Sequence, residues 1–221
     1  MNVKVILFGA TGMVGEGVLH ESLKSSEVGS VLVVGRRSCG VQDQKLTEIV
    51  LTDLFDLSGV EDRLSGYTAC FFCLGVSSIG MRQPDYERIT YELTMHIATI
   101  LARHNPAMTF CYISGAGTDS TESGRSMWAR VKGKTENHLM KLPFKAVFNF
   151  RPGYIKPIKG LHHAYHGAAV VGLFYPILKT LFRRYVCTLE ELGRAMIYAA
   201  SKGYSRNILE CGDIVPLGSG G

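Results

Sequence analysis

Short apolar segments alternate along the chain with longer stretches of helical periodicity. Seven of these segments have the length of a strand, namely residues 3–8, 31–34, 47–51, 69–74, 109–114, 146–150 and 207–210. Most are apolar at consecutive positions, which is typical of strands that are buried on both faces. Strands that alternate with helices form βαβ units with right-handed crossovers. The pattern therefore predicts an α/β fold, a doubly wound parallel sheet of the Rossmann type with a small C-terminal helical region.

The first predicted strand runs directly into a glycine-rich turn, and an amphipathic stretch over residues 14–23 follows it. Glycine allows a positive φ, a close approach to a pyrophosphate and tight packing of helix on strand. The first amides of the helix then face the phosphates. This context predicts a dinucleotide-binding turn, with an ordinary tight turn as the alternative. The expected contacts are Gly9, Thr11, Gly12, Met13, Val14 and Gly15.

The second predicted strand ends in two arginines. Folds of this type that bind NAD usually carry a carboxylate about 20 residues after the turn, for the ribose 2′-hydroxyl. Here Arg36 and Arg37 follow the strand, and no acidic residue stands beside them. Guanidinium groups pair with a 2′-phosphate through charge-assisted hydrogen bonds. The sequence therefore favours NADP(H) over NAD(H), with a solvated basic loop as the alternative.

Ligands in such sheets bind beyond the carboxyl ends of the strands. The segments that follow the predicted strands are rich in glycine, serine and threonine. They predict further cofactor contacts at Asp53, Leu54, Leu74, Gly75, Val76, Arg151, Pro152, Gly153 and Tyr154. For Asp53 two roles are open: its carboxylate accepts from the adenine amino group, or it caps a helix over residues 54–57.

Composition narrows the class of protein. The 221 residues are 46% hydrophobic, which suits one domain over residues 1–217 with a disordered tail at 218–221. The net charge of +5 comes from scattered residues, so nucleic-acid binding is not expected. No leader pattern opens the sequence, and we expect a cytoplasmic protein with six reduced, mostly buried cysteines. Cys70 and Cys73 lie in a predicted strand and should point to opposite faces of the sheet.

A strongly apolar stretch over residues 164–182 stands apart from this pattern. Gly167, Gly172 and Pro176 interrupt it, and its length is marginal for a bilayer span. Broken helices that cover the cleft or form an oligomer contact are the preferred interpretation, within a lid region at residues 156–187. Peripheral membrane association is the lesser alternative, and no integral span is expected. The nearby histidines at 162, 163 and 166 lack acidic or cysteine companions at a fitting spacing, so no metal is expected.

The motifs together resemble the short-chain dehydrogenase/reductase superfamily. The resemblance is to its atypical NAD(P)H-binding branch, which includes epimerase-like proteins and Tat-interacting-protein-like oxidoreductases, and it covers nearly the whole chain. It rests on Gly-Ala-Thr-Gly-Met-Val-Gly at 9–15, Cys-Leu-Gly-Val-Ser at 73–77, Ile-Ser-Gly-Ala at 113–116, Val-Lys-Gly at 131–133 and Arg-Pro-Gly at 151–153.

Active members of this superfamily carry a tyrosine and, four residues later, a lysine on one helix face. The resemblance implies that Lys132 holds the nicotinamide ribose and that Ser114 polarises a substrate oxygen, with Thr118 or Ser120 as the alternative source of that hydroxyl. The position of the tyrosine is taken by Trp128, whose indole does not titrate in a useful range. Trp128 either contacts nicotinamide or substrate, or fills the core. Tyr154 and Tyr91 are candidate substitutes for the missing acid, although packing is the simpler role for both.

Two functions agree with these features. One is an NADP-dependent oxidoreductase or epimerase-like enzyme that acts on a small, rather apolar carbonyl or hydroxyl compound. The other is a non-catalytic module that senses NADP(H) and controls a partner contact. The missing tyrosine favours the second function, whereas the resemblance to an enzyme superfamily favours the first. The sequence specifies neither the substrate nor whether the protein is a monomer or a homo-oligomer.

Overall fold

A computed structural model describes residues 2–158 and 185–220 of the chain. The strands are β1 (Val3–Phe8), β2 (Val28–Gly35), β3 (Leu46–Val50), β4 (Ala69–Phe72), β5 (Thr109–Ile113), β6 (Ala146–Arg151), β7 (Tyr154–Lys156), β8 (Val186–Thr188) and β9 (Ile208–Glu210). The α-helices are α1 (Met13–Lys24), α2 (Gln83–Glu87), α3 (Leu93–His104), α4 (Met127–Leu139), α5 (Leu189–Lys202) and α6 (Cys211–Ser219). A 3-10 turn covers Glu61–Leu64, and a π-helical turn covers Arg88–Glu92 between α2 and α3.

Seven strands form one parallel sheet in the order β3-β2-β1-β4-β5-β6-β9. Every neighbouring pair in it runs parallel. The strand order reverses beside β1, so the ends of β1 and β4 border a crevice of the kind in which doubly wound sheets bind ligands. The predicted parallel α/β sheet is confirmed.

Two apolar cores pack on the two faces of the sheet. Successive residues of β1 alternate between them: Val5 and Leu7 belong to one core, and Ile6 and Phe8 to the other. Burial on both faces is the reason for the uninterrupted apolar runs of the strands. Cys70 and Cys73 also contact opposite cores, as predicted, and all six cysteines are free thiols.

Most predicted boundaries shift by a few residues. The long helical segment formed by α2, the π-helical turn and α3 begins at Gln83. It ends where the Asn105 side chain donates hydrogen bonds to the carbonyls of Leu64 and Leu101. The strands predicted to reach residues 74 and 114 end at Phe72 and Ile113, which leaves the next residues in loops at the edge of the sheet.

The C-terminal segment differs from its prediction. The expected disordered tail at 218–221 is wrong for its first residues, because α6 continues to Ser219 and Gly218 is buried. A Cβ on Gly218 would lie 2.1 Å from the carbonyl oxygen of Glu191, so the helix packs closely on α5. A run of glycine and serine is typical of a flexible tail. Its packing on α5 cannot be read from the run itself, because α5 lies elsewhere in the chain.

The predicted lid at 156–187 is described only at its ends. Tyr154–Lys156 and Val186–Thr188 pair as a separate two-stranded parallel sheet, which the sequence did not predict. The apolar stretch at 164–182 and the three histidines lie outside the described residues. Among residues 2–158 and 185–220, no helix combines the length and apolarity needed to cross a membrane.

Candidate functional site

The glycine-rich turn has a geometry that only glycine satisfies at two positions. Gly9 has a φ of +86°, and a Cβ there would lie 2.6 Å from the backbone nitrogen of Leu74. A Cβ on Gly15 would lie 2.0 Å from the carbonyl oxygen of Gly9. The turn therefore presses against the end of β4 on one side and against α1 on the other.

Gly12 closes this turn and begins α1. Its amide donates a hydrogen bond of 3.0 Å to the Gly9 carbonyl, and it is the N-cap residue of the helix. As a glycine it offers no side chain to cap the first amides of α1. Such a helix terminus favours an anion, because its amides and the helix dipole both carry partial positive charge.

A cleft of about 360 Å³ opens over the turn and the ends of β1, β2 and β4, and we call it the strand-end cleft. Its volume is within the range of small-molecule sites. Of the predicted contacts it brings together Gly9, Thr11, Gly12, Arg36, Arg37, Asp53, Leu54, Leu74, Gly75 and Val76. Its lining also includes residues that were not predicted: Ala10, Val33, Gly35, Phe55, Cys73, Ile89 and Leu93. Met13, Val14 and Gly15 follow in the first turn of α1, outside this lining.

Two arginines and an aspartate are among the residues that line the cleft. Arg36 and Arg37 follow β2 and are exposed, and neither forms an ion pair within the described part of the chain. Asp53 lines the same cleft, and its carboxylate accepts a hydrogen bond of 2.9 Å from the amide of Phe55. The structure has a turn and no helix over residues 54–57, so the helix-cap role is wrong, and the adenine contact of Asp53 remains a prediction.

A second group of polar residues meets at the ends of β5 and β6. The Lys132 ammonium, on α4, donates a hydrogen bond to the backbone carbonyl of Ser114. Burial lowers the pKa of Lys132 to about 8, although the negative charge of Glu136 raises it in part. The structure therefore places Lys132 and Ser114 together, as the resemblance implied.

The hydroxyl of Ser114 points into the protein. It donates a hydrogen bond of 2.5 Å to the carboxylate of Glu136, which is fully buried. Arg151 also turns inward, and its Nε lies 3.0 and 3.2 Å from the two oxygens of that carboxylate. Its Nη2 contacts Glu136 as well and donates to the Ser120 hydroxyl at 2.6 Å. We call Ser114, Ser120, Glu136 and Arg151 the Glu136 network.

The expected roles of Ser114 and Arg151 differ from this arrangement. We expected the Ser114 hydroxyl to meet a substrate and Arg151 to meet the cofactor. Neither residue lines the strand-end cleft, and both side chains bind Glu136. The cause is the acid on α4, which attracts the guanidinium and accepts from the hydroxyl.

The segment after β6 is held by backbone contacts. The Pro152 carbonyl accepts from the amide of Ala116 at 2.9 Å, and the Gly153 amide donates to the Cys211 sulfur at 3.3 Å. The Tyr154 amide donates to the Tyr185 carbonyl at 2.8 Å. The Tyr154 hydroxyl is buried and has no hydrogen-bond partner among the described residues. These contacts fix the main chain beside the Glu136 network.

The aromatic candidates Trp128 and Tyr91 contact different parts of the protein. Trp128 is partly buried, and a Cβ on Gly117 would lie 3.6 Å from its ring, so the indole packs on the loop after β5. The Tyr91 hydroxyl lies 2.6 Å from Nδ1 of His138, farther along α4. Tyr91 is thus engaged with His138 in this arrangement.

Glu136 is the residue that sequence reasoning missed. Two signals in the sequence indicate it. It follows Lys132 by four residues, which places both on one helix face. That face also carries Thr135 and Leu139, which are buried, so an acidic residue there requires a partner.

The chain shares sequence with known proteins at low identity. No model of a known protein family matches the chain. The protein HTATIP2 of Rattus norvegicus is 25% identical over 156 residues, a match of 70% of this chain and 63% of that protein. The chain thus spans less than two thirds of that relative. The mitochondrial protein FMP52 of Meyerozyma guilliermondii is 22% identical over 201 residues, 90% of this chain and 85% of that protein.

Solved structures share the fold. A short-chain dehydrogenase family protein from Francisella tularensis superposes with a TM-score of 0.65 at 13% identity, covering 95% of this chain and 96% of that one. The enzyme WbmG of Bordetella bronchiseptica, in complex with NAD, gives a TM-score of 0.68 at 12% identity, covering 94% and 72%. The resemblance to the atypical short-chain dehydrogenase/reductases is confirmed. The cytoplasmic location of the protein remains a prediction.

Proposed function

We propose that the protein binds NADP(H) in the strand-end cleft and is an oxidoreductase or epimerase-like enzyme for a small, rather apolar carbonyl or hydroxyl compound. The observation that carries the proposal is the composition of that cleft. It joins the glycine-rich turn, including Gly12 at the N-cap of α1, to Arg36 and Arg37. Such a combination suits a dinucleotide with a 2′-phosphate.

The residues fit the cofactor part by part. At Gly9 and Gly15 an added Cβ would meet backbone atoms, so these glycines allow the turn to pack closely on β4 and α1. The amides at the start of α1 would face the pyrophosphate. Arg36 and Arg37 would pair with the 2′-phosphate, and Asp53 would lie near the adenine. The neighbour WbmG, which was solved with NAD, supports a nicotinamide dinucleotide in this fold.

Lys132 would hold the nicotinamide ribose at the ends of β5 and β6. The bound cofactor supplies hydride transfer, and the protein's own groups orient the reactants. Trp128 offers an N–H donor and no titratable proton, so it orients a flat ring without acting as an acid. In this proposal Ser114 and Arg151 act through Glu136 and do not touch the substrate.

A second candidate function is an NADP(H)-sensing module without catalysis. Two observations favour it: the tyrosine position is occupied by Trp128, and the Ser114 hydroxyl is bound to Glu136. General acid–base groups typically contribute a factor of about 10²–10⁴ in rate. A protein without them would keep the cofactor and lose turnover.

The cofactor proposal is tested by titrating the protein with NADPH and NADH while the fluorescence of Trp128, the single tryptophan, is monitored. We expect NADPH to bind more tightly. The double variant Arg36→Gln/Arg37→Gln should weaken NADPH binding about 10- to 100-fold, as expected for charge-assisted bonds, and leave NADH unchanged. Arg103→Gln, on the exposed end of α3, is the matched control for loss of charge. Equal affinity for both cofactors would contradict the NADP preference.

Turnover separates the two functions. In the enzyme, a member of a panel of apolar aldehydes and ketones should oxidise NADPH, and Lys132→Ala should abolish that reaction. In the sensing module, NADPH binds and no compound of the panel is reduced. Failure of NADPH and NADH to bind at all would remove both proposals.

A further inference from the structure

A fully buried carboxylate lies behind the residues that meet at the ends of β5 and β6. We propose that Glu136 is a positioning residue, which fixes Lys132 for the cofactor by holding Ser114 and Arg151. This inference rests on the proposed cofactor function and deepens it. Glu136 itself contacts neither cofactor nor substrate in this assignment.

Ser114 links Glu136 to Lys132. Its hydroxyl donates to Glu136 at 2.5 Å, and its amide donates to the Phe150 carbonyl at 2.9 Å. Its own carbonyl accepts the hydrogen bond from Lys132. Because the side chain and the amide fix the orientation of this residue, they also fix the carbonyl that Lys132 binds.

Arg151 connects Glu136 to β6 and to the loop after β5. Its guanidinium bridges Glu136 and the Ser120 hydroxyl, and its side chain is 10% exposed. One carboxylate thereby joins α4, the end of β5, the end of β6 and the loop that carries Ser120. These are the elements from which Lys132 would meet a nicotinamide ribose.

Glu136 also has an electrostatic effect on Lys132, through the charges that surround that lysine. Glu136 faces it from its own helix, and Arg151 lies beyond Glu136 on β6, with the carboxylate of Glu210 4.0 Å from its Nη1. Tyr112 on β5 lies behind Glu136 with its pKa raised by burial. Burial lowers the pKa of Lys132 to about 8, and the charge of Glu136 opposes that shift. Loss of this charge should lower the pKa further, so that less of Lys132 is protonated near neutral pH.

Glu136→Gln tests the inference through the pH dependence of NADPH binding. The variant keeps a hydrogen-bonding side chain and loses the charge. We expect its dissociation constant to match that of the wild type at pH 6, where Lys132 is protonated in both proteins. The ratio of the two constants should then rise to about tenfold near pH 8.5, which corresponds to a pKa difference of about one unit. Titration of the 2′-phosphate cancels in this ratio.

A loss of NADPH affinity that is equal at all pH values would show a merely structural role for Glu136 and overturn the inference. A ratio of the two dissociation constants equal to one at every pH would also overturn it. The double variant Glu136→Met/Arg151→Met is the second test, because apolar pairs often replace buried ion pairs without loss of folding. It should fold and bind NADPH at least tenfold more weakly, and wild-type affinity would overturn the inference. Lys134→Met is the control, since Lys134 pairs with Glu87 at 2.5 Å and has no bond to Ser114. If the wild type fails to bind NADPH, the cofactor proposal itself fails.

Discussion

Lys132 binds the backbone carbonyl of Ser114, while the Ser114 hydroxyl points away from it to Glu136. The two residues that the resemblance groups as catalytic are therefore joined through the main chain. Lys132 is a partly buried cation at the edge of the sheet, and Ser114 is the fixed acceptor beneath it. Burial of the Lys132 charge destabilises the folded protein, and the same charge is available to bind a ligand.

Replacement of Lys132 by methionine should stabilise the protein at pH 7. The pKa of Lys132 falls to about 8 in the folded protein, so burial of its charge opposes folding. Below pH 8 this cost is fully present. Between pH 8 and about 10.5 the folded protein loses the proton first, and wild-type stability rises with pH. We expect an advantage for the variant of about 1–3 kcal/mol at pH 7, which shrinks by pH 10.

Urea unfolding of both proteins at the two pH values measures this effect. Lys134→Met is the control on the same helix, because the pKa of Lys134 is raised by Glu87 and its loss should not stabilise the fold. A Lys132→Met protein that is less stable than the wild type at pH 7 would contradict the assignment of a buried, costly charge.

Gly15→Ala should disrupt the packing of the glycine-rich turn. The added Cβ would lie 2.0 Å from the Gly9 carbonyl oxygen, and backbone cannot yield as a flexible side chain does. We expect a loss in the free energy of unfolding of at least about 2 kcal/mol, together with loss of NADPH binding. Gly59→Ala, which has no atom within 4 Å of its Cβ, is the matched control. A Gly15→Ala protein with normal stability in thermal unfolding would show that this close approach is relaxed in solution.

The sheet and the cleft were predictable because their signals are local. Each parallel strand is a short apolar run, and the glycines at 9, 12 and 15 lie within one turn of the chain. Ten of the predicted cofactor contacts line one cleft, since the carboxyl ends of neighbouring parallel strands share an edge.

The remaining features depend on contacts between distant segments. The strands Tyr154–Lys156 and Val186–Thr188 have three residues each and pair across a long separation, so neither carries a pattern of its own. The direction of the Ser114 hydroxyl depends on Glu136, which lies 22 residues later on α4. A superfamily pattern locates Ser114 but does not show which acceptor its hydroxyl meets.

Asn149 lies in the middle of β6, and replacing it by leucine should stabilise the protein. Both polar atoms of its side chain are buried and lack a hydrogen-bond partner among the described residues. Burial of an unpaired amide costs about 1–3 kcal/mol, and leucine has a similar branched shape. We expect the urea midpoint to rise for Asn149→Leu. Asn105→Leu is the contrast, because the Asn105 side chain bonds to Tyr67, Leu64 and Leu101 and its loss should destabilise. A fall in stability for Asn149→Leu would indicate that the amide binds an internal water.

The end of the chain gives the sharpest contrast between a flexible-looking sequence and a packed helix. In α6, a Cβ on Gly218 would lie 2.1 Å from the Glu191 carbonyl oxygen, whereas a Cβ on Gly212 would meet no atom within 4 Å. Gly218→Val should therefore push α6 away from α5 and lower the free energy of unfolding by about 2–4 kcal/mol. Gly212→Ala should leave it unchanged or raise it slightly, because alanine favours a helix. Equal melting temperatures for the wild type and Gly218→Val would mean that the last turn of α6 is not docked on α5 in solution.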